Sequence, residues 1–482
     1  MQKQLESILS YLKDQGVDYA DIRVHDTVSE EIATENQSVM KLSTDYSKGF
    51  GIRVFYQGAL GFASSHDLKK MERAADKAIE IAKASALTTN TPVKLTEKEM
   101  TIDNYTSPYK IDPFDVSKEE KLDLLFAAEK TMQESADLIK TSGFLQFKKE
   151  NKTFADTDGS YIRQTIIISG GGIQAFAASE NDMQTRSYPN SARGNYLTAG
   201  YEYIKDLDFI KNAALIAKEA EELVNAPECP SGTYDLVIDG TQLFLQIHES
   251  VGHPTELDRI LGYEAGYAGT SFLSPDMLDE FEYGSEHVNI VADATSPKGL
   301  GTFAYDDEGI KAQKTPIILE GIFKGVTSSR DTASEIGKNS SGAARASGWN
   351  RIPLVRMTNI NLLPGKYSLE ELIEDINDGL LLKTNKSWSI DDKRLNFQFA
   401  TEIAYEIKNG ELTGKIYKNP IYSGISYEFW RSCDGVANKD HWVMYGTPNC
   451  GKGEPTQVMH VGHGCAPARF RNVKVGVSNN AR

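Results

Sequence analysis

Leu243-Phe244-Leu245-Gln246-Ile247-His248-Glu249-Ser250-Val251-Gly252-His253 sets two histidines five residues apart, on a segment whose Leu243, Phe244, Ile247 and Val251 supply a buried helical face. Each step of an α-helix turns about 100°, so positions five apart point about 140° from one another. Two imidazoles so placed cannot share an ion. A π-turn or local unwinding that widens the turn to i→i+5 returns them to one face, and Gly252 lowers the cost of that distortion. The spacing therefore predicts a deformed helix with both imidazoles aimed at one metal ion. Glu249 then stands beside the ion without binding it. That is the place of a general base, which takes a proton from water and returns it to a leaving amine.

Around this segment the chain reads as α+β, an N-terminal α/β half and a β-rich C-terminal half carrying the metal-binding helix. Leu5, Ile8, Leu9 and Leu12 mark an amphipathic first helix. Extended segments follow over about 19–36 and 50–63, with alternation at Gly51-Ile52-Arg53-Val54-Phe55. Further helices are predicted at about 68–85, 117–137 and 206–224, with Asp67 and Ser117 as N-caps. The stretch from about 87 to 116 lacks periodicity and reads as a linker or extended arm. Ala226-Pro227-Glu228-Cys229-Pro230 marks a boundary, giving domains 1–226 and 227–482. Beyond it come a strand at 234–238, a helix opening near Thr241, one at about 368–378, and a hairpin turning at Asn409-Gly410.

The 482 residues carry 52 basic and 68 acidic side chains, a net charge of −16. That balance argues against nucleic acid as a partner, because a basic stripe supplies that affinity, and against an anionic membrane surface. No run of residues is long and apolar enough to span a bilayer. Four cysteines, Cys229, Cys433, Cys450 and Cys465, are too few for a disulfide framework. A cytoplasmic chain with reduced thiols is expected.

Two histidines rarely hold a catalytic ion, so a third ligand must come from elsewhere. Cys450, in the glycine-bearing loop Asn449-Cys450-Gly451-Lys452-Gly453, is one candidate; His460, His463 and Cys465 are the others. A thiolate would complete a His₂Cys site with a position left for water. Two weaker signals are read blandly. Asp306-Asp307-Glu308-Gly309 lacks calcium-loop spacing and is taken as a solvated hairpin. Gly170-Gly171-Gly172 is taken as a bulge or turn rather than a phosphate cradle.

The ordered string of Tyr19-Ala20-Asp21-Ile22-Arg23-Val24, Gly61-Phe62-Ala63-Ser64, the His248–His253 motif, Gly301 to Gly309, Ser329-Arg330-Asp331-Thr332-Ala333 and Cys450-Gly451-Lys452 resembles the TldD/PmbA family of zinc metalloproteases over nearly the whole chain. The resemblance implies one zinc per chain on His248, His253 and Cys450, with Glu249 as catalytic base. It also implies peptide or unfolded-protein substrates and a homodimer or a heterodimer with a paralogue. The rival readings are a metal-dependent hydrolase of another small amide or ester, and a non-catalytic scaffold with structural metal.

Overall fold

A computed structural model of the chain describes residues 1–191 and 193–476. The N-terminal half contains α1 (Gln2–Asp14), β1 (Tyr19–Glu35), β2 (Ser38–Tyr56), β3 (Ala59–Ser65), α2 (Met71–Ala86), β4 (Ile102–Thr106), α3 (Lys118–Ser135), β5 (Lys140–Asp156), β6 (Tyr161–Ala178), β7 (Met183–Tyr188), β8 (Asn195–Leu197), α4 (Glu202–Asp206) and α5 (Phe209–Asn225). Its strands form one sheet in the order β3-β2-β1-β5-β6-β4, with β7 and β8 also paired to β6. All pairings are antiparallel except β4 beside β6, so the arm over 87–116 contributes an edge strand. The sequence reading started the second extended segment at about 50. The structure starts β2 at Ser38, because the polar stretch before Phe50 pairs residue by residue with β1.

Strand alternation sorts the two faces of this sheet. Ile22 and Val24 pack with α1 and α2, while Ile32, Leu145 and Ile173, on the same face farther along, pack with α3 and α5. The opposite face meets the C-terminal half. There Phe144, Ile166 and Ile168 pack against Leu300 and Phe303. Gly170–Gly172 lie inside β6, neither bulge nor turn, because neighbouring chain crosses them at contact distance. A Cβ on Gly170 would stand 2.0 Å from the Tyr196 ring.

The acidic turn Asp306-Asp307-Glu308 is also not a solvated hairpin. All three side chains are buried where the two halves meet. Lys152 pairs with Asp307 at 2.9 Å and Arg53 with Glu308 at 2.8 Å, while Arg53 also bonds Asp21. Asp306 accepts the backbone N–H groups of Glu308, Ile310 and Ala344. Arginine and lysine reaching across from the sheet neutralise charges that no solvent reaches.

The C-terminal half opens with β9 (Gly232–Ile238), α6 (Gly240–Ile247) and α7 (Leu257–Ile260). β10 (Ile290–Asp293), β11 (Lys314–Leu319), β12 (Ile322–Phe323) and β15 (Ile360–Leu362) make a small sheet. α8 (Arg330–Glu335) and the paired strands β13 (Ala344–Arg345) and β14 (Leu354–Val355) lie between β12 and β15 in the chain. After α9 (Leu369–Glu374) come β16 (Asp378–Ile390), β17 (Asn396–Lys408), β18 (Glu411–Tyr417), β19 (Ile421–Ile425), α10 (Ser426–Arg431), β20 (Cys433–Val436), β21 (Val443–Lys452), β22 (Gln457–Cys465) and β23 (Ala468–Val475). β16, β9, β23, β19 and β17 pair in sequence, and β17 pairs back to β16, closing a ring. Leu236, Ile238, Leu380, Leu382 and Phe399 share one core with Leu243, Ile247 and Val251 of the α6 segment, while Val237 and Leu381 pack with α9. Among the described residues no helix is long and apolar enough to cross a membrane.

A second buried ion pair ties the halves together. Arg186 of β7 donates to Glu402 of β17 at 2.7 Å and to Glu219 of α5 at 2.9 Å, and Glu402 also accepts from the backbone and hydroxyl of Ser187. Removing one member of such a pair costs about 3–5 kcal/mol, whereas replacing both by apolar groups is often neutral. Glu402→Leu is therefore expected to lower the thermal unfolding midpoint, and Arg186→Met/Glu402→Leu to recover much of the loss. A double variant less stable than the single one would refute the pairing account.

Candidate metal centre

The site begins at the end of β9. Asp239 caps α6, its carboxylate accepting the Thr241 N–H at 2.9 Å. The helix then widens into a π-turn over His248–Gly252, where the His253 N–H donates to the His248 carbonyl. This is the i→i+5 geometry that the histidine spacing demands. Gly252, however, has φ −58 and ψ −61, an ordinary helical conformation, so backbone freedom is not why glycine stands there. A Cβ at that position would lie 2.3 Å from the Met357 sulfur.

Buried side chains hold the widened turn. The Ser250 hydroxyl donates to the Gln246 carbonyl at 2.6 Å and accepts the Trp430 indole N–H at 2.9 Å. Tyr283 donates to the Ser250 carbonyl, and the Thr255 hydroxyl to the Val251 carbonyl. A π-turn displaces carbonyls from their usual partners, and these groups satisfy them.

His248, His253 and Cys450 converge, their nearest ligand atoms lying within 4.8 Å of one another. The imidazole rings stand at 88° with centroids 4.8 Å apart. Cys450 arrives from β21 through a bulge, in which Pro448 and Asn449 oppose the single residue His460 of β22. Its sulfur is 3.7 Å from Nε2 of His253. Tetrahedral zinc, with bonds of about 2.0 Å to nitrogen and 2.3 Å to sulfur, places such atoms ~3.5 Å apart. Both Nδ1 atoms are already engaged, His253 with Glu256 at 2.9 Å and His248 with His463 at 2.8 Å. Each ring thus keeps Nε2 for a cation. The donor set and its spacing fit a borderline-soft divalent ion.

The surroundings set the charges. Burial depresses both His248 and His253, which favours the neutral imidazole that a metal requires. Burial alone would raise the Cys450 thiol, but the Arg356 guanidinium and His253 outweigh it and hold the thiol below its ordinary value. Glu256 is buried, a loss of solvation that Lys452, His253 and Arg259 reverse, keeping its carboxyl well below the usual range. Lys452 itself sits 3.4 Å from Glu256 and 2.6 Å from Asp258. Glu249 is buried at the same cavity, with Oε2 accepting from Arg394 of the β16–β17 turn. The cavity holds about 300 Å³ and is lined by the three donors, Glu249, Arg394 and Trp388 among others.

Of the third-ligand candidates, the structure brings Cys450 to the pair. His463 lies one hydrogen bond behind His248. His460 is elsewhere: burial, with Lys148 beside it, pushes it down to about 3. Cys465 contacts the Gly240 carbonyl. Sequence reasoning missed Arg394, Glu256 and Lys452. Glu256, at three residues from His253, was accessible through helical i,i+3 proximity; Arg394 arrives from a distant hairpin and left no local signal.

Known proteins resemble this chain throughout. Models of the PmbA/TldA metallopeptidase match as domain 1 over residues 20–82, as the central domain over 111–226, and as the C-terminal domain over 231–477. A Methanocaldococcus jannaschii protein named metalloprotease MJ0996 is 33% identical over 93% of this chain and 95% of its own length. A Saccharolobus solfataricus protein named zinc metalloprotease TldD homolog is 25% identical, covering 96% of this chain and 97% of its own. The crystal structure of TldE from Thermococcus kodakarensis shares the fold, with a TM-score of 0.71 at 17% identity over 98% of this chain and 100% of that one.

The buried histidines make stability depend on pH. Unfolded imidazoles take up protons near ~6.5, whereas His248, His253 and His463 resist protonation in the fold because burial penalises the cation. Their contribution is present above ~6.5 and is lost as the pH falls below it. Burial depresses His25 and His460 in the same way, whereas Asp258, pushed up to about 6, and Asp306, pushed up to about 8, act in the opposite sense, two carboxyls against five imidazoles. Metal-free protein should therefore show a falling thermal midpoint between about pH 7.5 and 5; a flat or rising profile would contradict neutral buried imidazoles.

Proposed function

Because the chain belongs to the PmbA/TldD metallopeptidase family, we propose that it hydrolyses peptide bonds in unfolded or extended peptides, using zinc on His248, His253 and Cys450 and Glu249 as general base. The observation that carries this reading is the convergence of two imidazoles and a thiol beside a cavity-lining carboxylate. A structural metal site has no need of Glu249. A relative bearing the name zinc metalloprotease agrees with the choice of ion. Residues 1–226 and 227–482 are taken as its two domains, and the partner as a second copy or a paralogue.

The cation, when bound, acts as a Lewis acid that polarises the scissile carbonyl and acidifies water. The chain supplies the rest. Arg394 holds Oε2 of Glu249, which leaves Oε1 to take a proton from the attacking water and return it to the departing amine. Arg356, bonded to the Cys450 carbonyl, favours the thiolate that a cation requires. Trp388 and Phe244 give the cavity apolar walls, and Asn385 and Asn449 offer amides to a peptide backbone.

Glu249→Gln is expected to retain zinc and lose about 10²–10⁴-fold in kcat on a peptide library digested and read by mass spectrometry. Cys450→Ser is expected to lower the zinc content per chain measured by elemental analysis. A Glu249→Gln protein cleaving at the wild-type rate would remove the assigned base. Wild type that takes up no zinc would overturn the metallopeptidase reading.

A further inference from the structure

The two candidate histidine ligands are backed differently. Behind His253 stands a carboxylate, Glu256, itself compensated by Lys452 and Arg259. Behind His248 stands another imidazole. His463, fully buried on β22, places Nε2 2.8 Å from Nδ1 of His248, with the rings at 77°. Its other nitrogen, Nδ1, is buried and bonds no protein group among the described residues.

One proton sits between His248 and His463. If His248 offers Nε2 to a cation, its own proton must be on Nδ1, pointing at His463. Nε2 of His463 must then accept, which obliges His463 to be the neutral ring with its proton on Nδ1. From this geometry we propose that His463 is the positioning residue for His248: it fixes the ring and the tautomer through which His248 binds metal. The inference rests on the metal site proposed above. It explains why an imidazole occupies this buried place, since a hydrocarbon side chain would leave the buried His248 N–H unpaired. It also makes the centre less negative than a carboxylate behind both ligands would.

Zinc affinity, measured by competition with a chromogenic chelator, tests this in the full-length chain. His463→Ala should weaken zinc 10–100-fold, as removal of an outer hydrogen-bond partner does. His463→Gln, whose amide oxygen can accept from Nδ1 of His248, should recover most of that loss. Ring ¹⁵N shifts of zinc-loaded wild type provide a readout that needs no stable variant, with the His463→Gln spectrum giving the assignment. His463 should appear as the Nδ1–H tautomer. A zinc-loaded Nε2–H tautomer, or a His463→Ala protein binding zinc as wild type does, overturns the role of His463 alone. Wild type that binds no zinc overturns the metal site and this role with it.

Discussion

One hydrogen bond, from the His253 N–H to the His248 carbonyl, decides whether the two histidines of the motif can face one point. It widens a single turn and rotates His253 onto the face of His248. An α-helical turn there would leave one imidazole buried against the core and the other alone at the cavity. π-turns are costly because they displace neighbouring carbonyls from their partners. Here Tyr283, Thr255, Gln246 and Trp430 accommodate the displacement, contributed by a loop, the following turn, α6 and α10. The distorted turn is thus a property of the packed C-terminal half rather than of the local segment.

Charge around the centre is distributed unevenly, and the unevenness has chemical consequences. The His253 side is ionic: Glu256 is held as a carboxylate by Lys452 and Arg259, and Lys452 follows Cys450 by two residues on β21. One strand therefore delivers both the thiol and the cation that stabilises the carboxylate behind a histidine. Behind His248 the hydrogen-bond partner is instead the imidazole of His463. Glu249, between them, faces Arg394 from the turn of the β16–β17 hairpin. That hairpin belongs to the closed ring of strands, so the arginine that pairs with Glu249 is anchored to the same framework that anchors α6.

The two halves are joined by an apolar zone around Phe144, Ile168 and Phe303 and by two sets of buried ion pairs. The ionic sets demand registration, because a shift of a few ångströms would leave arginines and carboxylates buried without partners. This matters for the cavity, since the segment between β7 and β8 contributes Asn190, Ser191 and Gly194 to its wall. The N-terminal half therefore shapes the cavity, while the candidate donors His248, His253 and Cys450 all come from the C-terminal half.

The sequence by itself carried a great deal of this. His-Glu-x-x-x-His is intelligible only if the helix is deformed, because the angular step of an α-helix is fixed by its hydrogen bonds. Capping residues such as Ser117 and the apolar periodicity of α1, α2 and α5 gave those helices to within a few residues, since both signals are local. Cys450 was legible only as one of four candidates. What the tertiary structure alone decided depends on contacts between distant segments. The bulge at Pro448-Asn449 brought Cys450 rather than Cys465 to the histidines. The Asp306–Glu308 turn, which looked solvated, is buried because Arg53 and Lys152 lie more than 150 residues away in the chain yet next to it in space. Glycine at position 252 answers to Met357, not to its own backbone. Periodicity and caps are written in neighbouring residues; burial and partnership are set by which surfaces meet.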